Sequence, residues 1–210
     1  MNATIFYYTG TGNSLWVART VAGEVGGAEL LPISKHTGGE GPIDSKVAGL
    51  VFPVHIWGVP APVIRFVETL GGSRPEYLFG IAVHAGQVSN TLVQLKQALA
   101  GQGLLLSSGF GIRMPSNYIP WGGPGSQEKQ RELFARARNK ISRIAVRIGE
   151  QAILPVEKGP LWQRVVFTAF YRLSFSQVPG MDKKFRADDR CDACGICIRV
   201  CPASNITLHE

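Results

Sequence analysis

All four cysteines of this 210-residue chain lie within eleven positions near its end, in the run CDACGICIRVC. Thiols this close together form either disulfides or a metal site. The first residues lack the basic start and apolar stretch of a signal peptide, and no apolar run is long enough to span a bilayer. We therefore expect a cytoplasmic protein, in which thiols stay reduced and the cysteines serve as metal ligands.

The spacing of these cysteines narrows the choice of metal. It resembles the cluster-binding run of bacterial ferredoxins, which implies a [4Fe–4S] cluster. A zinc site is the alternative, but zinc ribbons and fingers pair two short Cys/His knuckles across a longer spacer, and no second knuckle is visible. The metal ligands predicted by the resemblance are Cys191, Cys194, Cys197 and Cys201, the last followed by Pro202.

The fourth cysteine raises a question about the extent of the chain. In two-cluster ferredoxins the residue that matches Cys201 ligates the other cluster, and a second run supplies the missing ligand. No second run follows here, and the sequence stops nine residues after Cys201. We expect a truncated chain. The alternatives are one cluster bound in an atypical way by all four cysteines, or a partner that completes the site.

A second group of residues has the chemistry of a phosphate site. The sequence TGTGNS lies between an apolar strand pattern and a helix pattern. Such a turn gathers free backbone N–H groups and the positive end of a helix dipole, and the hydroxyls of Thr9, Thr11 and Ser14 are at hand. Gly10 and Gly12 permit close approach of a ligand. The loop has neither the lysine of a Walker motif nor the third glycine of the dinucleotide fingerprint. A purely structural turn is the alternative.

Alternating strand and helix patterns surround this loop and predict an α/β fold with a parallel sheet. Short apolar runs rich in β-branched residues predict strands at 3–8, 28–34, 46–54, 77–84 and 104–112. Apolar residues at helical spacing predict helices at 13–25, 61–70 and 89–102.

The loop after the first strand resembles the phosphate loop of flavodoxins. The matching residues are Thr9, Gly10, Thr11, Gly12, Asn13 and Ser14, with serine in place of the last threonine of that pattern. The resemblance covers roughly residues 1–115. It implies a doubly wound five-stranded parallel sheet of order 2-1-3-4-5 that binds FMN at the carboxyl ends of its strands.

The rule for open α/β sheets places the flavin ring at the loops after the third and fourth strands. The predicted cofactor contacts there are Pro53, Val54, His55, Ile56, Trp57, Gly58, His84, Ala85, Gly86 and Gln87. For Trp57, simple packing is the alternative. The loop after the fifth strand contributes Asn117, Tyr118 and Trp121, which would cover the flavin or receive an electron partner. No Ser/His/Asp or Cys/His catalytic set suggests itself.

Two further helices are predicted beyond residue 125. The first, 126–151, has an apolar stripe that would cover one face of the sheet, with Ser126 as its N-cap. The second, 159–180, is apolar on most sides and is expected to be buried as a bracket between the α/β domain and the cysteines. A partner interface and shallow membrane contact are the alternatives for this bracket.

The excess charge of the chain lies in this same region. Residues 126–190 contain 14 Lys+Arg and 7 Asp+Glu, a net charge of +7 that equals that of the whole chain. A solvated helix face is one interpretation. Another is a docking surface for a redox partner protein of acidic character or for an anionic substrate, and an anionic membrane is a further alternative. Nucleic acid is not expected, because no recognised binding motif accompanies the basic residues.

Together these features resemble the flavodoxin–ferredoxin fusion proteins of anaerobic bacteria and archaea. The expected organisation is an FMN-binding domain at 1–151, a helical bracket or linker at 152–186 and a ferredoxin-type iron–sulfur segment, apparently incomplete, at 187–210. The resemblance implies electron transfer between FMN and a [4Fe–4S] cluster in one chain. The alternatives are an FMN-dependent reductase of a small acceptor, such as a quinone or nitro compound, and a redox-gated binding module.

Overall fold

The computed structural model describes residues 2–33, 43–118, 122–177, 180 and 187–207. Along the chain the described elements are β1 (Ala3–Tyr7), α1 (Asn13–Glu24), β2 (Glu29–Pro32), β3 (Val47–Pro53), α2 (Ala61–Glu68), β4 (Tyr77–His84), α3 (Thr91–Gly101), β5 (Ser108–Arg113), α4 (Gln127–Gly149), α5 (Leu161–Ser174) and α6 (Ile196–Val200).

The five strands form one parallel sheet in the order β2-β1-β3-β4-β5. This is the flavodoxin-like, doubly wound α/β arrangement that the sequence predicts. Strand β5 begins at Ser108 rather than at residue 104, because the N–H of Leu104 still donates to Leu99 O at the end of α3 (3.0 Å). Leu104 therefore belongs to the helix cap and not to the strand.

Helices cover both faces of the sheet, which explains why its strands are apolar on both sides. On one face α1 and α4 pack against the strands, with Val17, Val21 and Ile141 fully buried. On the other face α2 and α3 pack with Val63 and Leu95 among the buried residues. The predicted covering role of α4 is confirmed. Its predicted cap is also present, since Ser126 Oγ accepts a hydrogen bond from the Lys129 N–H (3.3 Å).

Helix α5 departs from the expectation that it is buried. None of its 14 residues is buried. The stripe that faces the α/β domain includes Gln163, Phe167 and Tyr171, whereas most of the apolar residues of the helix lie on the opposite, exposed side. The predicted helix is present, but the apolar composition of a helix does not determine which of its sides packs against the domain. The bracket thus contacts the domain through one narrow stripe.

The cysteine segment contains the short helix α6, which the sequence patterns did not predict. Its N-cap is Gly195, with a φ of +70°. Within the described ranges, no helix is long and apolar enough to cross a membrane.

Candidate functional site

The loop from Thr9 to Ser14 joins β1 directly to α1. Gly12, the N-cap of the helix, has a φ of +97°, a left-handed conformation that glycine adopts without steric cost. The Gly12 N–H donates to Thr9 Oγ1 (3.1 Å), which fixes the turn. Ser14, with 1% of its surface exposed, anchors the first helical turn in the core. A tight, well-held turn therefore stands at the carboxyl end of β1.

This loop has the donor set of an anion site. In the described part of the chain, no acceptor meets the backbone N–H groups of Thr11, Asn13 and Ser14. At a helix N-terminus such groups carry partial positive charge, which favours a bound anion. A Cβ placed on Gly10 or Gly12 would meet no atom within 4 Å, so the approach to the loop is open. The loop can bind a phosphate through backbone donors without a lysine.

Two asparagines tie this loop to the chain that follows β5. Asn13 Nδ2 donates to Pro115 O (2.9 Å), and Asn117 Nδ2 donates to Thr11 Oγ1. Tyr118 is exposed beside this contact. The 115–118 loop, predicted to cover the flavin or to receive an electron partner, thus lies against the 9–14 loop. Trp121, expected in the same loop, lies outside the described residues.

The chain after β3 forms a tight hairpin. The His55 N–H donates to Gly58 O (3.1 Å), and the Gly58 N–H donates to His55 O (2.9 Å). Between them Ile56 and Trp57 have φ values of +45° and +59°, which residues with a side chain adopt only when outside contacts hold them. One such contact comes from α3, where Thr91 Oγ1 donates to Trp57 O (3.2 Å).

Helix α5 supplies the other contacts. The indole of Trp57 stacks on the ring of Phe167, with centroids 4.4 Å and planes 6° apart. Tyr171 Oη donates to Val59 O (2.8 Å), and a Cβ on Gly58 would overlap the Tyr171 ring. The close approach of this ring requires glycine at position 58. We name this set of contacts the α5 clamp.

The α5 clamp was missed in the sequence, although both of its aromatic residues stand in the predicted bracket helix. Phe167 and Tyr171 are spaced as ordinary apolar positions, and no local signal links them to a hairpin more than a hundred residues earlier. Trp57 was expected to contact either a flavin or the protein. In the structure one face of its indole is covered by Phe167. The packing contact therefore exists and fixes where Trp57 lies.

Tyr8 and His55 meet at the crevice between the ends of β1 and β3. Their rings form an edge-to-face pair with centroids 6.1 Å apart, and the Tyr8 N–H donates to Val51 O (2.9 Å). Burial raises the pKa of the Tyr8 phenol, the Cys201 sulfur raises it further, and Arg65 acts in the opposite direction. Cys201 thus lies within electrostatic reach of the crevice. The sequence had assigned Tyr8 to a strand only.

His84 ends β4 and lies against the neighbouring strand and α4. Burial is the main cause that lowers its pKa to about 4, helped by the cations Lys140 and Arg113 and opposed by Glu157. Glu157 Oε2 accepts hydrogen bonds from Lys140 Nζ (2.7 Å) and from the Gly111 N–H (2.9 Å). The imidazole is therefore neutral at physiological pH, in a polar cluster that no single motif in the sequence marks.

The remaining predicted contacts also lie at the carboxyl edge of the sheet. The Val54 N–H continues the pairing with β4 by donating to Val83 O (2.8 Å). Ala85 O accepts a hydrogen bond from Arg113 Nε (3.0 Å), and Gln87 is half-buried nearby. The structure thus brings the loops at 9–14, 53–58, 84–87 and 115–118 to the same end of the sheet.

The four cysteines are not gathered around one point. Cys191, Cys194 and Cys197 are exposed, and the thiol of Cys201 contacts Asn205 Oδ1 (3.1 Å). Among the residues that the structure describes, no three of the His, Cys, Asp and Glu side chains lie close enough to hold a metal ion. The residue types suit a cluster or a zinc ion, but this arrangement of the side chains does not.

Comparison with known proteins gives structural similarity only. No family model matches the chain, and no curated protein matches it. Among solved structures it is similar to a flavodoxin from the domain Archaea (11% identity, 72% of this chain and 98% of that chain, TM-score 0.46). It is also similar to the NAD(P)H:quinone oxidoreductase from Methanothermobacter marburgensis (12% identity, 68% of this chain and 94% of that chain, TM-score 0.45). A third similar structure is the rubredoxin oxygen:oxidoreductase of Desulfovibrio gigas (15% identity, 70% of this chain, TM-score 0.42). This chain spans only 36% of that protein.

The environment of His84 predicts a loss of stability on acidification. The pKa of the His84 imidazole is about 4 in the folded chain and about 6.5 in the unfolded chain. Between pH 4 and pH 6.5 the unfolded chain therefore binds a proton at His84 that the folded chain does not. The free energy of unfolding is therefore unaffected by the titration of His84 above pH 6.5, and it falls by roughly 2–3 kcal/mol as the pH drops towards 4. Urea unfolding of the wild type and of His84→Gln between pH 4 and pH 7 measures the part of the pH dependence that His84 causes. Equal pH dependence of the two proteins would contradict the prediction.

Proposed function

We propose that this protein binds FMN at the carboxyl edge of its sheet and transfers electrons through it. The main supporting observation is the loop from Thr9 to Ser14 at the start of α1, because the N–H groups of Thr11, Asn13 and Ser14 meet no acceptor among the residues that the structure describes. The position of the loop supports the proposal. In the strand order β2-β1-β3, strand β1 has neighbours on both sides, and ligands of open α/β sheets bind where the connections diverge to opposite faces.

Each part of this edge has a task in holding the cofactor. The N–H groups of the 9–14 loop and the hydroxyl of Thr11 would bind the phosphate. The 53–58 hairpin and the 84–87 loop would flank the ring. Because the α5 clamp fixes the hairpin before any ligand binds, little conformational entropy remains to be lost there on binding. FMN, when bound, accepts and donates one or two electrons, and the protein tunes this chemistry by local charge and hydrogen bonds.

Substitution of Gly12 tests the phosphate loop. We expect Gly12→Ala to weaken FMN binding by about tenfold or more, because a Cβ on the N-cap strains the left-handed turn and displaces its N–H groups. Gly26→Ala is the matched control, since Gly26 also has a positive φ (+82°) with open space around it, at the other end of α1. FMN fluorescence titration measures both. Equal affinity in the two variants, or no FMN binding by the wild type, would reject the proposal.

For the cysteine segment we propose a [4Fe–4S] cluster that exchanges electrons with the FMN. The support is the spacing of the four cysteines, which matches the bacterial ferredoxin run. A second point in its favour is that Cys201 lies within electrostatic reach of Tyr8, beside the proposed flavin crevice. Binding would require the exposed thiols to converge, because their present positions do not surround a common centre.

Anaerobic reconstitution tests the cluster. We expect about four iron and four sulfide per chain for one cubane of this type, with a reduced EPR signal, and a loss of most of the iron in Cys194→Ser. Cys194 is suited to this test because it is exposed and its substitution leaves the core untouched. Metal analysis that finds zinc alone, or iron content unchanged in the variant, would contradict the cluster.

We further propose that an acidic redox protein docks on helix α4. Arg131 and Arg143 are exposed, and no carboxylate within the described ranges forms an ion pair with them. Arg136 and Arg147, in contrast, are paired with glutamates on the same helix or at its end. The unpaired guanidinium groups leave a net positive face that would attract a negative partner.

Charge removal on α4 tests this docking. We expect Arg131→Gln combined with Arg143→Gln to slow electron exchange with a small acidic ferredoxin by roughly tenfold at low salt, and the difference to vanish at high salt. Lys46→Gln is the control, since Lys46 is also exposed but is paired with Glu76 at 2.8 Å. Stopped-flow spectroscopy measures the rate of electron exchange in each variant. Unchanged rates in the double variant at low salt would exclude this face.

A further inference from the structure

Helix α5 packs with its sides reversed relative to an ordinary surface helix. The stripe that faces the α/β domain contains Gln163, Arg164 and Thr168 beside the two rings of the clamp. The side that faces solvent carries six large apolar residues, with exposed fractions between 41% and 72%. We name this side the α5 outer face; it consists of Leu161, Trp162, Val165, Val166, Phe170 and Leu173.

Such a face is costly in water. Monomeric soluble proteins seldom leave so large a contiguous apolar surface uncovered unless it binds something. The polar stripe cannot simply exchange places with it, because Tyr171 donates to Val59 O and Phe167 stacks on Trp57. Rotation of the helix would break both contacts. The outer face is therefore held outward by the clamp.

The charged residues of the segment that contains this face are all positive. From Lys158 to Gln177 the chain has three cations and no carboxylate. A groove of about 540 Å³ runs along one edge of the helix, and it is lined by Arg172 together with Leu161, Val165 and Leu173. On its domain side it is lined by Arg164, whose Nε donates to Asn90 Oδ1 (3.1 Å). Guanidinium groups beside aliphatic side chains match the chemistry of an anionic headgroup next to an acyl chain.

A second copy of the chain fits this surface less well. A two-fold contact between two α5 outer faces would bring Arg172 of each copy towards the other, and the helix offers no carboxylate to neutralise them. An anionic membrane supplies the negative charge and the apolar layer together. The helix, 14 residues or about 21 Å long, would lie flat, since it is too short to span a bilayer.

From these observations we propose that α5 docks the protein on the surface of a membrane that contains anionic lipids, with its outer face in the interfacial layer. Leu161, Trp162 and Leu173 enter the boundary between headgroups and acyl chains, and Arg172 binds lipid phosphates at its edge. The proposal does not depend on FMN or on a cluster. It uses the exposed side of α5. At the edges of that side, the Trp162 ring lies 6.1 Å from Phe167 and the Phe170 ring 6.3 Å from Trp57, centroid to centroid.

Vesicle binding by the full chain tests this surface. We expect co-sedimentation with vesicles of phosphatidylcholine and phosphatidylglycerol, but at least tenfold weaker binding to phosphatidylcholine alone, and weaker binding at high salt. Leu161→Ser combined with Leu173→Ser should lower the affinity for the anionic vesicles by about tenfold or more. The matched control is Leu105→Ser, which removes a leucine of similar exposure (65%) before β5. All variants change exposed residues, so circular dichroism and melting temperature should match the wild type.

The fluorescence of Trp162 gives an independent readout. Anionic vesicles should shift the tryptophan emission to shorter wavelength in the wild type, and Trp162→Phe should lose most of that shift. Absence of vesicle binding at low salt would overturn the proposal. Binding that the double leucine variant retains would also overturn it. Concentration-dependent dimerisation that the same double variant abolishes would assign the face to a second copy instead.

Discussion

The position of β1 inside the sheet is the constraint on which the rest of the site depends. This strand pairs with β2 on one side and with β3 on the other, so the helices that follow β1 and β3 must cover opposite faces. Helix α1 accordingly belongs to one core layer and α2 to the other. The two connections leave in opposite directions and open a crevice at the carboxyl ends of the strands. Both the 9–14 loop and the 53–58 hairpin stand there because of that divergence.

Helix α5 contacts the hairpin that lies on one side of the crevice, through Phe167 and Tyr171. The hairpin has two consecutive side-chain residues, Ile56 and Trp57, with positive φ, which costs of order 1–3 kcal/mol per residue. The stacking of Trp57 on Phe167 and the hydrogen bonds of Tyr171 and Thr91 each contribute about 1 kcal/mol. These terms are of similar size. The contacts from α5 therefore offset part of the backbone strain of the hairpin, which makes a helix far along the chain part of the crevice.

Much of this fold could be predicted from the sequence, because the sheet is built from local patterns. Buried parallel strands are continuous apolar runs, and the helices between them have a regular apolar stripe. The strand order followed from the flavodoxin resemblance of the 9–14 loop, and the structure confirms it. The predicted ends of the elements were mostly a few residues too wide, since caps such as Leu104 look like strand residues in sequence alone.

The site could be predicted only in part. Residues that lie in the loop between two elements, such as Asn13 and Trp57, were found because the topology assigns each loop to an edge. Tyr171 and Glu157 were missed, because their roles come from contacts with Val59 and Gly111, each far away in sequence. A pattern within one helix reports which side is apolar. It does not report that a longer-range contact turns that side outward, as in α5.

The same reasoning applies to the cysteine segment. Its described residues, 187–207, contain no buried side chain, so few packing contacts determine where the thiols lie. In small domains that bind a metal and lack a core, metal coordination supplies the free energy that fixes the conformation. Gathering the thiols would therefore require movement of exposed side chains near α6 and no opening of the sheet. Because the charge of Cys201 raises the pKa of the Tyr8 phenol, such a rearrangement would change the electrostatics of the crevice.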